Sequence, residues 1–240
     1  MAHLKNIFVH HSGGIGNDPY ASSIHLKAED IEAYHKQKWN YPGALNRFGG
    51  YNLSIDPKMA AFYQHRAIGE ETIAQRGNNF DSLSICIIGN YNIDPKTGQT
   101  VDKMEVGVVQ LLEDIILTAF KGVEPLRQMG MVVKPGTTVS FDVSRIYPHR
   151  FVSSTDCYGR GLADNWARDL IVRAMARPDS PTAISMEEYE ELQRENTLLK
   201  MLVQLYVKIM DLHQLPKLKA NAEHFAQVGA LDQECDGFIH

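Results

Sequence analysis

Side chains able to donate electron pairs to a divalent cation stand out at three places in this sequence. His149 lies in Pro148-His149-Arg150, Cys157 follows it by eight residues, and the pair His10-His11 closes the apolar run Ile7-Phe8-Val9. A strand end, a loop histidine and a loop cysteine can together offer two nitrogens and one thiolate to zinc. Structural zinc sites fill all four positions with protein ligands, whereas catalytic sites keep one position for water. Three ligands from distant parts of the chain therefore favour catalysis over stapling. Strand alternation sends His10 and His11 to opposite faces, so only one of the pair can join such a centre.

The elements that carry these residues can be read from hydrophobic spacing. Lys5 to His11 reads as a first strand, followed by the turn-rich run Gly13 to Pro19. Ala28 to Trp39 has helical spacing, with Ile31, Tyr34, His35 and Trp39 near one face. Tyr51 to Ile55 alternates as a strand, and Ala61 to Gln64 suits its partner. Ser82 to Gly89 is a continuous central-strand run. Asp102 to Lys121 predicts an amphipathic helix, with Val109, Leu112, Ile116 and Phe120 on its apolar side and Gly122 just beyond. Residues 137 to 160 read as mostly irregular, and Leu162 to Ala176 as a closing helix carrying Trp166, Leu170 and Ile171. Interspersed strands and helices predict an α/β architecture, a central mixed β-sheet flanked by helices.

Beyond this core of residues 1–176, Pro178 and Pro181 break any helix, so residues 177–185 read as a linker. Residues 186–215 hold neither Pro nor Gly before the final turn. With Tyr189, Asn196, Val203 and Met210 at position a, position d holds Leu192, Leu199, Tyr206 and His213. These heptads predict an α-helical coiled-coil segment of about 43 Å. Leu198, Leu202, Leu205 and Ile209 widen its apolar face, which suits a higher oligomer or a helix packed on a catalytic domain, and a homo-oligomer is the expected arrangement. The tail, residues 216–240, is polar and suggests no function.

At 240 residues and 44% hydrophobic composition, the chain can bury one substantial core with an appendage. A formal charge of -5 gives no electrostatic reason to expect nucleic acid as a partner. Cys86, Cys157 and Cys235 are too few for a disulfide framework, and Cys86 within Ser84 to Ile88 reads as a buried small hydrophobe. No stretch approaches the ~20 apolar residues of a membrane span. The first strand follows Met1 so closely that a signal peptide is not expected. The chain is expected to be made in the cytoplasm, so any work outside it would need another exit route.

Four anchors match a known pattern: Ile7 to His10, Gly50-Tyr51-Asn52, Asn79 to Gly89, and the spacing from His149 to Cys157. Over residues 5–176 the chain resembles the zinc-dependent N-acetylmuramoyl-L-alanine amidases of the second type, which include amidase-type phage lysozymes and peptidoglycan recognition proteins. The resemblance implies that His10, His149 and Cys157 are ligands of Zn2+. It sets Tyr51 beside the metal and Thr155 where the transition state is supported, a position held by lysine or threonine in the family. The implied reaction is hydrolysis of the amide between N-acetylmuramic acid and L-alanine in peptidoglycan, by an endolysin of phage or prophage origin. Zinc in such a site lowers the pKa of water to about 7 and polarises the carbonyl.

The chain departs from the pattern in several places. Asn52 stands where the family commonly has histidine, Ile73-Ala74-Gln75 where a histidine often precedes the central strand, and Tyr158 where proline usually follows the cysteine. Asn52 and Arg150 are the expected substrate contacts, Arg150 because a guanidinium suits a stem-peptide carboxylate. A rival expectation is a peptidoglycan-binding module of the same fold with little turnover. A third is a regulator that docks a partner through its coiled coil.

Overall fold

The computed structural model describes residues 1–177. The linker beyond Arg177, the heptads of 186–215, the tail 216–240 and Cys235 lie outside the described residues. The elements are, in chain order, β1 (His3–Leu4), β2 (Asn6–His11), α1 (Ala28–Trp39), β3 (Leu53–Asp56), β4 (Ala61–Gln64), β5 (Ser82–Ile87), α2 (Val106–Lys121), α3 (Val123–Gln128), β6 (Thr138–Val139), β7 (Ile146–Pro148) and α4 (Trp166–Ala176).

Five strands form a mixed sheet in the order β4-β3-β5-β2-β7. β2 pairs in parallel with both β5 and β7, β3 is parallel to β5, and only the edge strand β4 runs antiparallel. β5 is central because every one of its residues is buried, as the unbroken run in the sequence predicts. Its side chains alternate between two layers. Leu83, Ile85 and Ile87 face the main core with Val108, Leu112, Ile115 and Ile116 of α2 and Leu170 and Ile171 of α4. Cys86 and Ile88 face Ile31 of α1, flanked by Leu26 and Tyr51.

Several boundaries differ from expectation for physical reasons. α2 begins at Val106 rather than Asp102, because the Asp102 carboxylate accepts from Ser22 Oγ, Ser23 N and Asn90 N. A carboxylate tied to non-helical backbone N–H groups competes with helix formation. The buried stripe of α2 is Val108, Leu112, Ile115, Ile116 and Ala119, with Val109 and Phe120 at its flank. α3 and the two-residue pair of β1 with β6 carry no sequence signal long enough to read. β7 falls in the stretch expected to be irregular, and three residues beside a proline are too short to show alternation.

Asn52 requires a correction. Its side chain is wholly enclosed: Oδ1 accepts from Ser84 N at 2.9 Å and Nδ2 donates to Ala67 O at 3.1 Å. It staples the chain entering β3 to β5 and to the segment after β4, which leaves no face for substrate. Removing a buried partner costs about 1–3 kcal/mol for each group left unpaired. Asn52→Ala is therefore expected to lower unfolding free energy by about 2–4 kcal/mol, read from urea denaturation. A loss below about 0.5 kcal/mol would show that the amide is no staple.

Candidate metal centre

The centre is built where parallel strands end. β7 runs beside β2 with Val9 opposite Pro148, so the next residues, His10 and His149, become neighbours. Their ring centroids are 4.7 Å apart. Crevices at the carboxyl ends of parallel strands are the usual ligand sites of such sheets. After Pro148 the chain turns through a single 3-10 turn, His149–Phe151, and loops back to bring Cys157 in. Arg150 N donates to Cys157 O at 2.7 Å, and His11 N donates to Cys157 Sγ at 3.3 Å.

One ligand atom each from His10, His149 and Cys157 lies within 4.8 Å of the others. His10 Nδ1 is 3.7 Å from Cys157 Sγ. Tetrahedral zinc, with bonds of about 2.0–2.1 Å to nitrogen and about 2.3 Å to sulfur, sets a nitrogen–sulfur separation of about 3.6 Å. The donor set fits as well as the spacing, since imidazole and thiolate ligands suit zinc.

Burial decides the charges. It holds His10 well below the usual imidazole range, helped by His149 and His11 and opposed by the Gln75 hydrogen bond. His149 is lowered by burial too. Both rings are thus neutral, ligand-competent bases at pH 7. Cys157 is pushed up to about 12 by burial, against the His11 N–H and the Arg150 charge. A divalent cation is the group that would displace its proton.

His11 sits on the opposite face, where its Nδ1 accepts from Tyr91 N at 3.2 Å. Tyr51 packs its ring 5.0 Å from His10 and 5.4 Å from His35. Burial raises its phenol well above the ordinary tyrosine value, so it stays a proton donor. His35, expected to be a packing residue, is more specific than that: its Nδ1 accepts from Gly50 N at 2.9 Å and so places Tyr51. Desolvation lowers it to about 4, which keeps that nitrogen an acceptor. Thr155 Oγ1 accepts from Cys157 N at 3.3 Å, beside an open polar hollow of about 370 Å³ lined by Arg150, Ser153, Ser154, Thr155, Asp156 and Arg160.

Arg150 is bonded within its own loop. Its guanidinium donates to Gly159 O and Leu162 O at 2.7 Å each and to the Asp164 carboxylate at 2.5 Å. These bonds close the loop that carries Cys157, while the side chain also lines the polar hollow. The Asp156 carboxylate accepts from Arg160 Nε, and its backbone carbonyl accepts from Gly159 N in the turn.

Two clusters escaped sequence reading. Gln75 Oε1 lies 3.1 Å from His10 Nε2. Glu32, His65 and Ser54 form a line, with His65 Nδ1 bonded to Glu32 and His65 Nε2 2.9 Å from Ser54 Oγ. Neither has a spacing signature, since both pair residues across loops.

No family model matches the chain, and no curated protein matches it. Its fold is similar to solved structures of low identity, among them the following three. One is the N-acetylmuramoyl-L-alanine amidase LysC from Clostridium intestinale URNW, at 16% identity over 72% of this chain and 87% of that one, TM-score 0.43. Another is the Ph2119 endolysin from Thermus scotoductus MAT2119 bacteriophage Ph2119, at 15% identity over 71% and 86%, TM-score 0.41. The third is Drosophila peptidoglycan recognition protein SD, at 16% identity over 68% and 78%, TM-score 0.43. The roles of individual residues stand on the geometry above.

Because the imidazoles are already neutral at pH 7 and the thiol is not ionised, metal binding should release one proton, from Cys157. Apparent zinc affinity is then expected to rise about tenfold per unit between pH 7 and 9, measured by competition with a chromophoric chelator. Cys157→Ser should weaken binding and flatten that slope. A flat profile in the unaltered chain would remove Cys157 from the ligand set.

Proposed function

We propose that residues 1–176 are a zinc-dependent amidase that hydrolyses the bond between N-acetylmuramic acid and L-alanine in peptidoglycan, as an endolysin of phage or prophage origin. The observation that carries the hydrolytic reading is the convergence of two neutral imidazoles and a thiol, from the end of β2 and from the loop after β7, at one strand-end crevice. The choice of substrate rests on the motif resemblance at Tyr51, Asn79 to Gly89 and His149 to Cys157.

His10, His149 and Cys157 would hold the ion. Zinc there supplies a Lewis acid that polarises a carbonyl and acidifies water. The remaining work falls to this chain's own donors. Tyr51, kept protonated by burial, donates to the oxygen on which negative charge develops. Thr155 Oγ1 already accepts from Cys157 N, so its own hydroxyl proton is left for the substrate. A hydroxyl brings no positive charge, so turnover is expected to be slower than with lysine at this position.

That neutral hydroxyl is also the observation that favours a second reading, a peptidoglycan-binding module of the same fold with little turnover. For residues 186–215 we propose self-association, which would multiply weak contacts on a polymeric wall through effective concentration. Deleting residues 177–240 should abolish assembly in sedimentation while hydrolysis persists.

Mass spectrometry of digested cell wall should show new lactyl carboxylates and free alanine amines, and a chelator should suppress both. Wall that is bound but uncut would establish the module instead. Tyr51→Phe is expected to keep full zinc content while the rate falls by about 10²-fold, the scale for one oxyanion donor. An unchanged rate would remove Tyr51 from the mechanism.

A further inference from the structure

Gln75 is joined to the metal centre by a chain of bonds whose direction can be settled by elimination. The side chain meets His10 at one end and Asn78 O, Ser82 Oγ and Thr72 Oγ1 at the other. Asn78 O is a carbonyl and can only accept, and it already takes the Ser82 hydroxyl proton at 2.5 Å. Ser82 Oγ, its proton spent, can only accept from Gln75. The end of Gln75 that faces both must therefore be its NH₂ group, which leaves Oε1 toward His10.

The consequence reaches the ligand. Oε1 accepts, so His10 Nε2 must carry the proton. In a neutral ring this puts the lone pair on Nδ1, the nitrogen 3.7 Å from Cys157 Sγ. The opposite tautomer would aim an N–H at the sulfur and close the centre to a cation. Gln75 is itself held in place, with its N–H on Asn79 Oδ1 at 2.9 Å and Asn78 N on its carbonyl at 3.1 Å. Ser82 is the first residue of β5 and pairs with Asn6 of β2, so the anchor is built into the sheet that carries His10.

We propose that Gln75 is a positioning residue that fixes the His10 ring in the Nε2–H tautomer and so presents Nδ1 to zinc. The inference rests on the metal reading above and adds to it a residue outside the ligand set. Partners of this kind fix ring orientation and typically change metal affinity by 10–100-fold. A glutamine does so without the negative charge of the more usual carboxylate, which leaves the centre's net charge to its ligands alone.

The test uses the full chain loaded with zinc. Zinc content is measured first, and a chain that binds none overturns the metal reading and this inference with it. Long-range ¹H–¹⁵N correlation spectra of the zinc-loaded protein should then show His10 protonated at Nε2 and metal-bound at Nδ1. The reverse assignment overturns the proposal while leaving the metal reading intact, and it needs no variant. Gln75→Met, similar in length but lacking the acceptor, should raise the zinc dissociation constant by about 10–100-fold with unchanged circular dichroism. A folded Gln75→Met that binds zinc like the parent overturns the proposal. Should that variant fail to fold, the spectrum of the parent decides alone.

Discussion

The contact on which the centre depends is the parallel pairing of β2 with β7, in which Val9 stands opposite Pro148. Neighbouring strands lie about 4.7–4.9 Å apart, so pairing at this register brings His10 and His149 together before any loop has to be placed. Pro148 is compatible because β7 is an edge strand, where the missing N–H costs no central ladder bond. A slip of one residue would turn His10 to the face of the main core and bring His11 round in its place. The register is protected by Ile7 and Val9, which are fully buried in that core.

Burial serves the imidazoles and opposes the thiol, and the surrounding bonds reconcile the two. Desolvation keeps His10 and His149 neutral, as a metal ligand must be, yet raises the energy of a thiolate at Cys157. The His11 N–H and the Arg150 charge act against that penalty. Arg150 thus contributes twice, by closing the loop from 150 to 164 and by placing a cation near the sulfur.

α1 matched its expected limits, although Ile31 and His35 are buried while Tyr34 and Trp39 are exposed, and β5 took its expected place at the centre. The three ligand candidates were legible as well, because histidine at a strand end and cysteine in a loop are unusual enough to notice. What escaped were features decided by tertiary contact. β7 is three residues long, so its role as the neighbour of β2 has no periodicity to announce it. Asn52 and Arg150 are polar residues beside the centre, and sequence alone does not tell a polar side chain that faces solvent from one spent on backbone groups. Gln75 looked like a departure from the resembled pattern; in the fold its side chain meets the His10 ring.

Glu32, His65 and Ser54 show why constellation alone does not make a site. A carboxylate on a histidine whose other nitrogen meets a serine hydroxyl is the bonding pattern of a hydrolytic triad. Here Ser54 and His65 are both wholly enclosed, and Ser54 sits between Tyr63 and Cys86 in the sheet. No carbonyl can reach its oxygen without parting the strands. Glu32 also accepts from Phe48 N, and a side chain on Gly49 would put its Cβ 2.2 Å from His65 Nδ1. The line therefore binds α1, the loop before Tyr51 and the sheet to one another. The same α1 carries His35, which holds Gly50 and so sets Tyr51 against His10. The buried line thus fixes the helix and loop that set Tyr51 against His10.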